Sequence, residues 1–169
     1  MRVKRVPMSH PILLYDGVCG LCNRLVQFIL RRDLSGMFRF ASLQSTLAAG
    51  ILARHGEDAA KLDGVYVVID YGLSEEQLLA RSDAAIFILR NLGADAFHCD
   101  GTSKSPVRTR AKPVRALWRF AGFVLQLLPR WLRNWGYGVV ARNRYRVFGR
   151  YDICPLPTGE TRSRFLDLD

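Results

Sequence analysis

The chain has 169 residues, a formal net charge of +10 and four cysteines. That length suits one domain with an adequate core, and four unevenly spread cysteines do not make a secreted disulfide framework. No stretch reaches the roughly 18 uninterrupted apolar residues of a membrane-spanning helix.

The basic N-terminus leads only into a short apolar run at residues 12–15, so no signal-peptide core is present and a cytoplasmic location is expected. Residues 11–15 are a continuous apolar run of the kind found in a buried strand. Residues 22–32 set Leu25, Val26, Phe28, Ile29 and Leu30 among arginines, which predicts an amphipathic helix ended by Asp33 and Gly36. Residues 38–41 alternate as a second strand, and residues 45–55 predict a helix closed by Gly56. The run 65–69 is the strongest strand signal, Tyr71-Gly72 is a turn, and residues 78–80 supply a short fourth strand. Ser82 is expected to cap a helix over 84–92, with Asp83 in its first turn and Gly93 at its end. The order is β-α-β-α-β-β-α, an α/β class.

Residues 98–113 hold Gly, Thr, Ser, Pro and scattered charge and predict a linker or loop between a domain at 1–97 and an added C-terminal helical segment at 114–169, packing on the same domain. There Ala116, Leu117, Phe120, Ala121, Val124, Leu127 and Leu128 form an apolar face, and Pro129 separates this helix from another over 131–146. The favoured arrangement turns this face inward and the arginines outward. The competing one is an interfacial segment bearing Trp118, Trp131 and Trp135. Residues 101–150 carry 12 Lys/Arg and no Asp/Glu, which suits either an anionic partner or a solvated basic face. No recognised nucleic-acid motif is present.

Cys19 and Cys22 enclose Gly20-Leu21 where the first strand gives way to the first helix. A helix N-terminus offers unpaired N–H groups and partial positive charge that stabilise a thiolate, the attacking species in disulfide exchange. Cys19 is therefore the candidate nucleophile, expected to be the more exposed of the two, and Cys22 the resolving thiol. Gly20 lets the backbone turn tightly and leaves a substrate room to approach. Asp16, three residues before Cys19, is either a proton acceptor for the resolving thiol or a turn carboxylate. A zinc site would need further ligands such as His98, Cys99 or Cys154, without the spacing of a second ligand pair. A purely structural, buried pair is the remaining alternative. Cys154 beside Pro155 is either a third exchanging thiol or an isolated semi-buried cysteine. Cys99, His10, His55 and His98 show no partner pattern.

The run Asp16-Gly17-Val18-Cys19-Gly20-Leu21-Cys22-Asn23 resembles the signature of the DCC-type thiol-disulfide oxidoreductases, thioredoxin-like proteins named for one Asp and two Cys at this spacing. The resemblance continues through Ser82-Asp83-Ala84-Ala85, resumes at Tyr145-Arg146-Val147-Phe148-Gly149-Arg150 and Cys154-Pro155, and ends near Arg164-Phe165-Leu166. It implies motif roles for Asp16, Cys19 and Cys22, and a reaction class without a defined substrate. Thioredoxins place a cis-proline before the third strand, where this chain has Leu62-Asp63-Gly64-Val65.

The sequence thus leads to an enzyme that reduces protein or low-molecular-weight disulfides with no bound cofactor or metal, drawing on an electron donor it does not identify. The other class of function is a non-catalytic module with a redox-sensing dithiol, its basic C-terminal third docked on an anionic membrane or an acidic partner.

Overall fold

The computed structural model describes residues 10–33, 35–57, 64–92, 112–151 and 159–167. The linker expected at 98–113 lies outside them except for its last two residues, as do Gly93, His98, Cys99, Cys154 and Pro155.

Four short strands carry the sheet: β1 (Ile12–Tyr15), β2 (Arg39–Ser42), β3 (Tyr66–Ile69) and β4 (Gln77–Ala80). Three helices interleave with them: α1 (Gly20–Arg32), α2 (Thr46–Arg54) and α3 (Arg81–Asn91). The C-terminal part adds α4 (Lys112–Leu127), α5 (Arg130–Phe148) and the short α6 (Gly159–Arg162). The strand order is β2-β1-β3-β4, with β1 parallel to β2 and antiparallel to β3, and β3 antiparallel to β4. This is the thioredoxin-like arrangement that the element order predicts.

The central strands β1 and β3 are buried on both faces, so they read as unbroken apolar runs rather than alternating ones. Leu13, Tyr15 and Val67 point to the face covered by Val26 and Ile29 of α1 and Ala84 and Ile88 of α3. Ile12, Leu14, Tyr66 and Val68 point to the other, covered by Ala48, Ile51 and Leu52 of α2. Ser45 caps α2, its hydroxyl accepting from the Ala48 N–H at 3.2 Å. Ser82 does not cap α3 as expected: Ala80 occupies that position, and the Ser82 hydroxyl donates instead to Asn134 Oδ1 on α5 at 2.6 Å. A tertiary partner outcompetes the local one.

Two returns of the chain complete the domain. Residues 164–166 lie along the edge strand β2, with the Phe40 N–H donating to Arg164 O and the Leu166 N–H donating to Phe40 O, each at 2.9 Å. This covers an otherwise open sheet edge. Phe165 stacks on Phe40 with centroids 5.2 Å apart, and Arg164 pairs with the buried Asp33. In the second return, α4 packs against α3 while α5 packs against α1 and α3, which brings the end of α5 to the start of α1. The apolar face expected to turn inward on α4 does not: Leu117, Phe120, Val124 and Leu127 are exposed, and the helix docks instead with buried Gly122, beside Arg90 of α3, and with Trp118, edge-on to Phe28 of α1.

Candidate active site

Cys19 is the N-cap residue of α1, in an extended conformation (φ −83°, ψ 121°), and Cys22 lies in the first turn. Their side chains are free thiols in direct contact, the Cys22 thiol donating to the Cys19 sulfur. This contact is the largest influence on both. It lowers the Cys19 pKa from an ordinary 9.0 to about 6, aided by the backbone amides of Cys22 and Leu21 and by the positive charge of Arg144, against the opposing effect of burial. Cys22 moves the other way. Its proton is held by the Cys19 sulfur, burial disfavours its charged form, and a Cys19 thiolate repels a second negative charge, so it stays a thiol far above the usual range.

Asp16 follows β1 directly and is fully buried. Its Oδ1 accepts from the Val18 N–H at 3.2 Å and from Gln44 Nε2 at 2.9 Å. Its Oδ2 accepts from Arg144 Nη2 at 3.2 Å and from the Tyr145 hydroxyl. Arg144 is itself buried and also donates to the Tyr145 hydroxyl at 2.9 Å. The loop between Asp16 and α1 is braced further: Gly17 N–H donates to Gln44 Oε1 at 3.1 Å, and Asn23 Nδ2 donates to Gly17 O at 2.7 Å and Cys19 O at 3.0 Å. On the far side of the dithiol, the Tyr137 hydroxyl accepts from the Val65 N–H at 2.9 Å, and burial raises its pKa.

Neither sulfur is open to solvent, Cys19 having 0% of its surface exposed and Cys22 3%, although Cys22 is the more deeply enclosed by protein. The cover is the chain itself. Gly149 ends α5 in the left-handed region (φ 75°), a conformation glycine adopts without strain, and turns the backbone across the start of α1. The Gly20 N–H donates to Gly149 O at 3.2 Å, the Tyr151 N–H donates to Val18 O at 2.8 Å, and Cys19 and Arg150 form an antiparallel bridge. The room that Gly20 leaves is filled from within, since a Cβ there would sit 2.1 Å from Phe148 O. Both cysteines thus belong to the apolar core beside Tyr15, Val26 and Ile29, with the 149–151 backbone and the charge of Arg144 on the side that core leaves open.

The sequence brought Asp16, Cys19 and Cys22 forward, and the structure gathers them at one end of β1. Gln44, Tyr137 and Arg144 were not singled out, and Tyr145 entered only as part of the segment that resembles the family, with no role at the site. Tyr137 and Arg144 lie seven residues apart on one face of α5, the spacing of a packed face, and that was the available signal. Among the described residues, no group of three or more His, Cys, Asp or Glu side chains is placed to hold a metal ion. His10 Nδ1 donates to Met37 O at 3.0 Å, and His55 pairs with Glu76, both away from the dithiol.

Residues 13–99 match the DCC1-like thiol-disulfide oxidoreductase family. The chain is 35% identical to the uncharacterized protein YuxK of Bacillus subtilis (strain 168), over 98% of this chain and 99% of that protein. It is 31% identical to the chloroplastic DCC family protein At1g52590 of Arabidopsis thaliana, over 88% of this chain and 70% of that protein. No solved structure matches. The family model spans just over half of the chain and both relatives are covered over most of their length, so the chain belongs to the DCC1-like thiol-disulfide oxidoreductase family.

Proposed function

We propose that the protein reduces disulfides of proteins or low-molecular-weight thiols, with Cys19 as nucleophile and Cys22 as resolving thiol. The observation that carries this reading is the paired sulfurs at the first turn of α1, one with its pKa lowered to about 6 and the other held as a thiol. At pH 7 a thiol of that pKa is about nine-tenths thiolate, and one close to ambient pH keeps most of its intrinsic nucleophilicity.

The Cys19 thiolate attacks one sulfur of the substrate disulfide. A Cys19–substrate disulfide forms, the substrate S–S bond breaks, and the first substrate thiolate leaves. Two of the effects that held the Cys22 proton, the Cys19 hydrogen bond and the Cys19 charge, vanish at that moment, while Arg144 still favours a Cys22 thiolate. The Cys22 proton passes to solvent or to the departing thiolate. Cys22 then attacks the Cys19 sulfur and expels the second substrate thiolate, leaving a Cys19–Cys22 disulfide. An external dithiol returns the two electrons, and a reducing, cytoplasmic compartment sets the direction. Asp16 is a positioning residue in this scheme. Its oxygens, already accepting four hydrogen bonds, hold Arg144 against the sulfurs. Substrate reaches Cys19 when the 149–151 segment lifts, exchanging two backbone hydrogen bonds for contacts with the substrate.

The test is turnover of insulin disulfides with dithiothreitol as donor. Cys19→Ser abolishes it, and Cys22→Ser accumulates a mixed disulfide visible as an adduct by intact mass. A Cys19→Ser variant that matches the wild-type rate overturns the enzyme reading in favour of a non-catalytic, redox-sensing module.

A further inference from the structure

Helix α4 presents an apolar face to solvent. Leu117, Phe120, Val124 and Leu127 fall at i, i+3, i+7 and i+10, one stripe of a helix, and are exposed by 60%, 64%, 42% and 69%. Arg119 and Gln126 lie on the other side, at the edge of the α3 contact, where Gln126 Oε1 accepts from Arg90 Nη1 at 2.9 Å. The helix docks on α3 through the face that carries Gly122 and Gln126, so its apolar stripe is left over after packing. A contiguous apolar stripe of this kind marks an interaction site. Past Pro129, Trp131 and Trp135 of α5, exposed by 72% and 65%, stand on one line with exposed Arg142 and Arg146 at i, i+4, i+11 and i+15.

We propose that this face of α4 and α5 lies on the surface of an anionic lipid bilayer, with α4 in the plane of the interface. Leucine and phenylalanine on one side, arginine on the other and tryptophan at the boundary are the composition of an interfacial helix. Charge selects the occupant. Residues 101–150 contain 12 Lys/Arg and no Asp/Glu; Arg130 and Arg133 pair with Asp83 and Arg144 with Asp16, and exposed Arg142 and Arg146 are among those left to meet anionic headgroups, whereas a second copy would bring together two chains of net charge +10. No helix among the described residues is long and apolar enough to cross a membrane. Each arginine near such a surface adds about fivefold to binding, and each large apolar side chain entering the acyl boundary adds about tenfold or more.

The test is sedimentation of the full chain with phosphatidylcholine vesicles, with and without phosphatidylglycerol. Anionic vesicles bind it at least about tenfold more tightly at low salt, the preference falls as salt rises, and bromine-labelled acyl chains quench its tryptophan emission. The exposed triple variant Phe120→Ser/Leu127→Ser/Trp131→Ser loses at least about a hundredfold in binding, with unchanged circular dichroism and insulin reductase rate. Equal or absent binding to the two vesicle types overturns the proposal. So does binding to polyglutamate as tight as to anionic vesicles without quenching, which would assign the face to an acidic protein. A dimer that the triple variant dissolves, with no vesicle binding by the wild type, would assign it to a second copy and overturn it equally. None of these outcomes depends on the thiol chemistry.

Discussion

Arg144 of α5 reaches Asp16, 128 residues earlier in the chain, and forms a 3.2 Å ion pair in which the two side chains are 6% and 0% exposed. This pair ties the C-terminal helix to the end of β1 and puts a fixed positive charge beside both sulfurs. Buried pairs of this kind add little net stability over an apolar packing, yet they are costly to break singly.

Arg144→Met leaves the Asp16 carboxylate buried without its cation and costs about 3–5 kcal/mol, read as a fall in the urea midpoint. The pH at which Cys19 ionises rises in the same variant, because a charge that favours the thiolate is gone. Adding Asp16→Asn recovers much of the stability while leaving the Cys19 titration high. Recovery of both by the second change would show that Arg144 acts on Cys19 only through the fold.

The cover over Cys19 is tested at Gly20. An alanine Cβ would meet Phe148 O at 2.1 Å and Gly149 O at 3.1 Å, both backbone atoms that cannot rotate away. Gly20→Ala therefore pushes the 148–151 segment outward at a cost of about 1–3 kcal/mol. Cys19 then alkylates with iodoacetamide several times faster than in the wild type at the same pH. An unchanged alkylation rate with intact folding would mean that the segment does not limit access.

The C-terminal return along β2 gives a prediction away from the sulfurs. Phe165 is buried, stacked on Phe40 and edge-on to Tyr15 with centroids 6.3 Å apart. Phe165→Ala loses about 3–5 kcal/mol by denaturant melting and loosens the edge of β2, which hydrogen exchange at Phe40 detects. The Cys19 titration is unaffected.

What the sequence made legible was local. Apolar runs and aspartate, glycine or proline breaks marked the four strands and the helices α1 to α5 to within about three residues, and the dithiol was legible because strand end, helix start and both cysteines are contiguous. The rest was carried by contacts between distant segments. Arg144 is one arginine among many on a basic helix, and only the fold shows that it faces Asp16. Ser82 carries the composition of a cap, yet Asn134, 52 residues later, takes its hydroxyl. The exposed stripe of α4 has the pattern of a core-facing helix, and periodicity reports that a face is apolar without saying what it meets. Cys19 was expected at the surface because the segment that buries it lies about 130 residues downstream of it.

The central claim, that Cys19 is a thiolate at neutral pH while Cys22 remains a thiol, is tested most directly by following the ultraviolet absorbance of thiolate in the reduced protein as pH is raised, with Cys19→Ser as the reference. Because the Cys19 pKa lies below its ordinary value, its proton is lost early as pH rises, so a step attributable to Cys19 is expected with a midpoint near 6, and no second step from Cys22 below strongly alkaline pH. A Cys19 midpoint at the ordinary 9.0 would contradict the account.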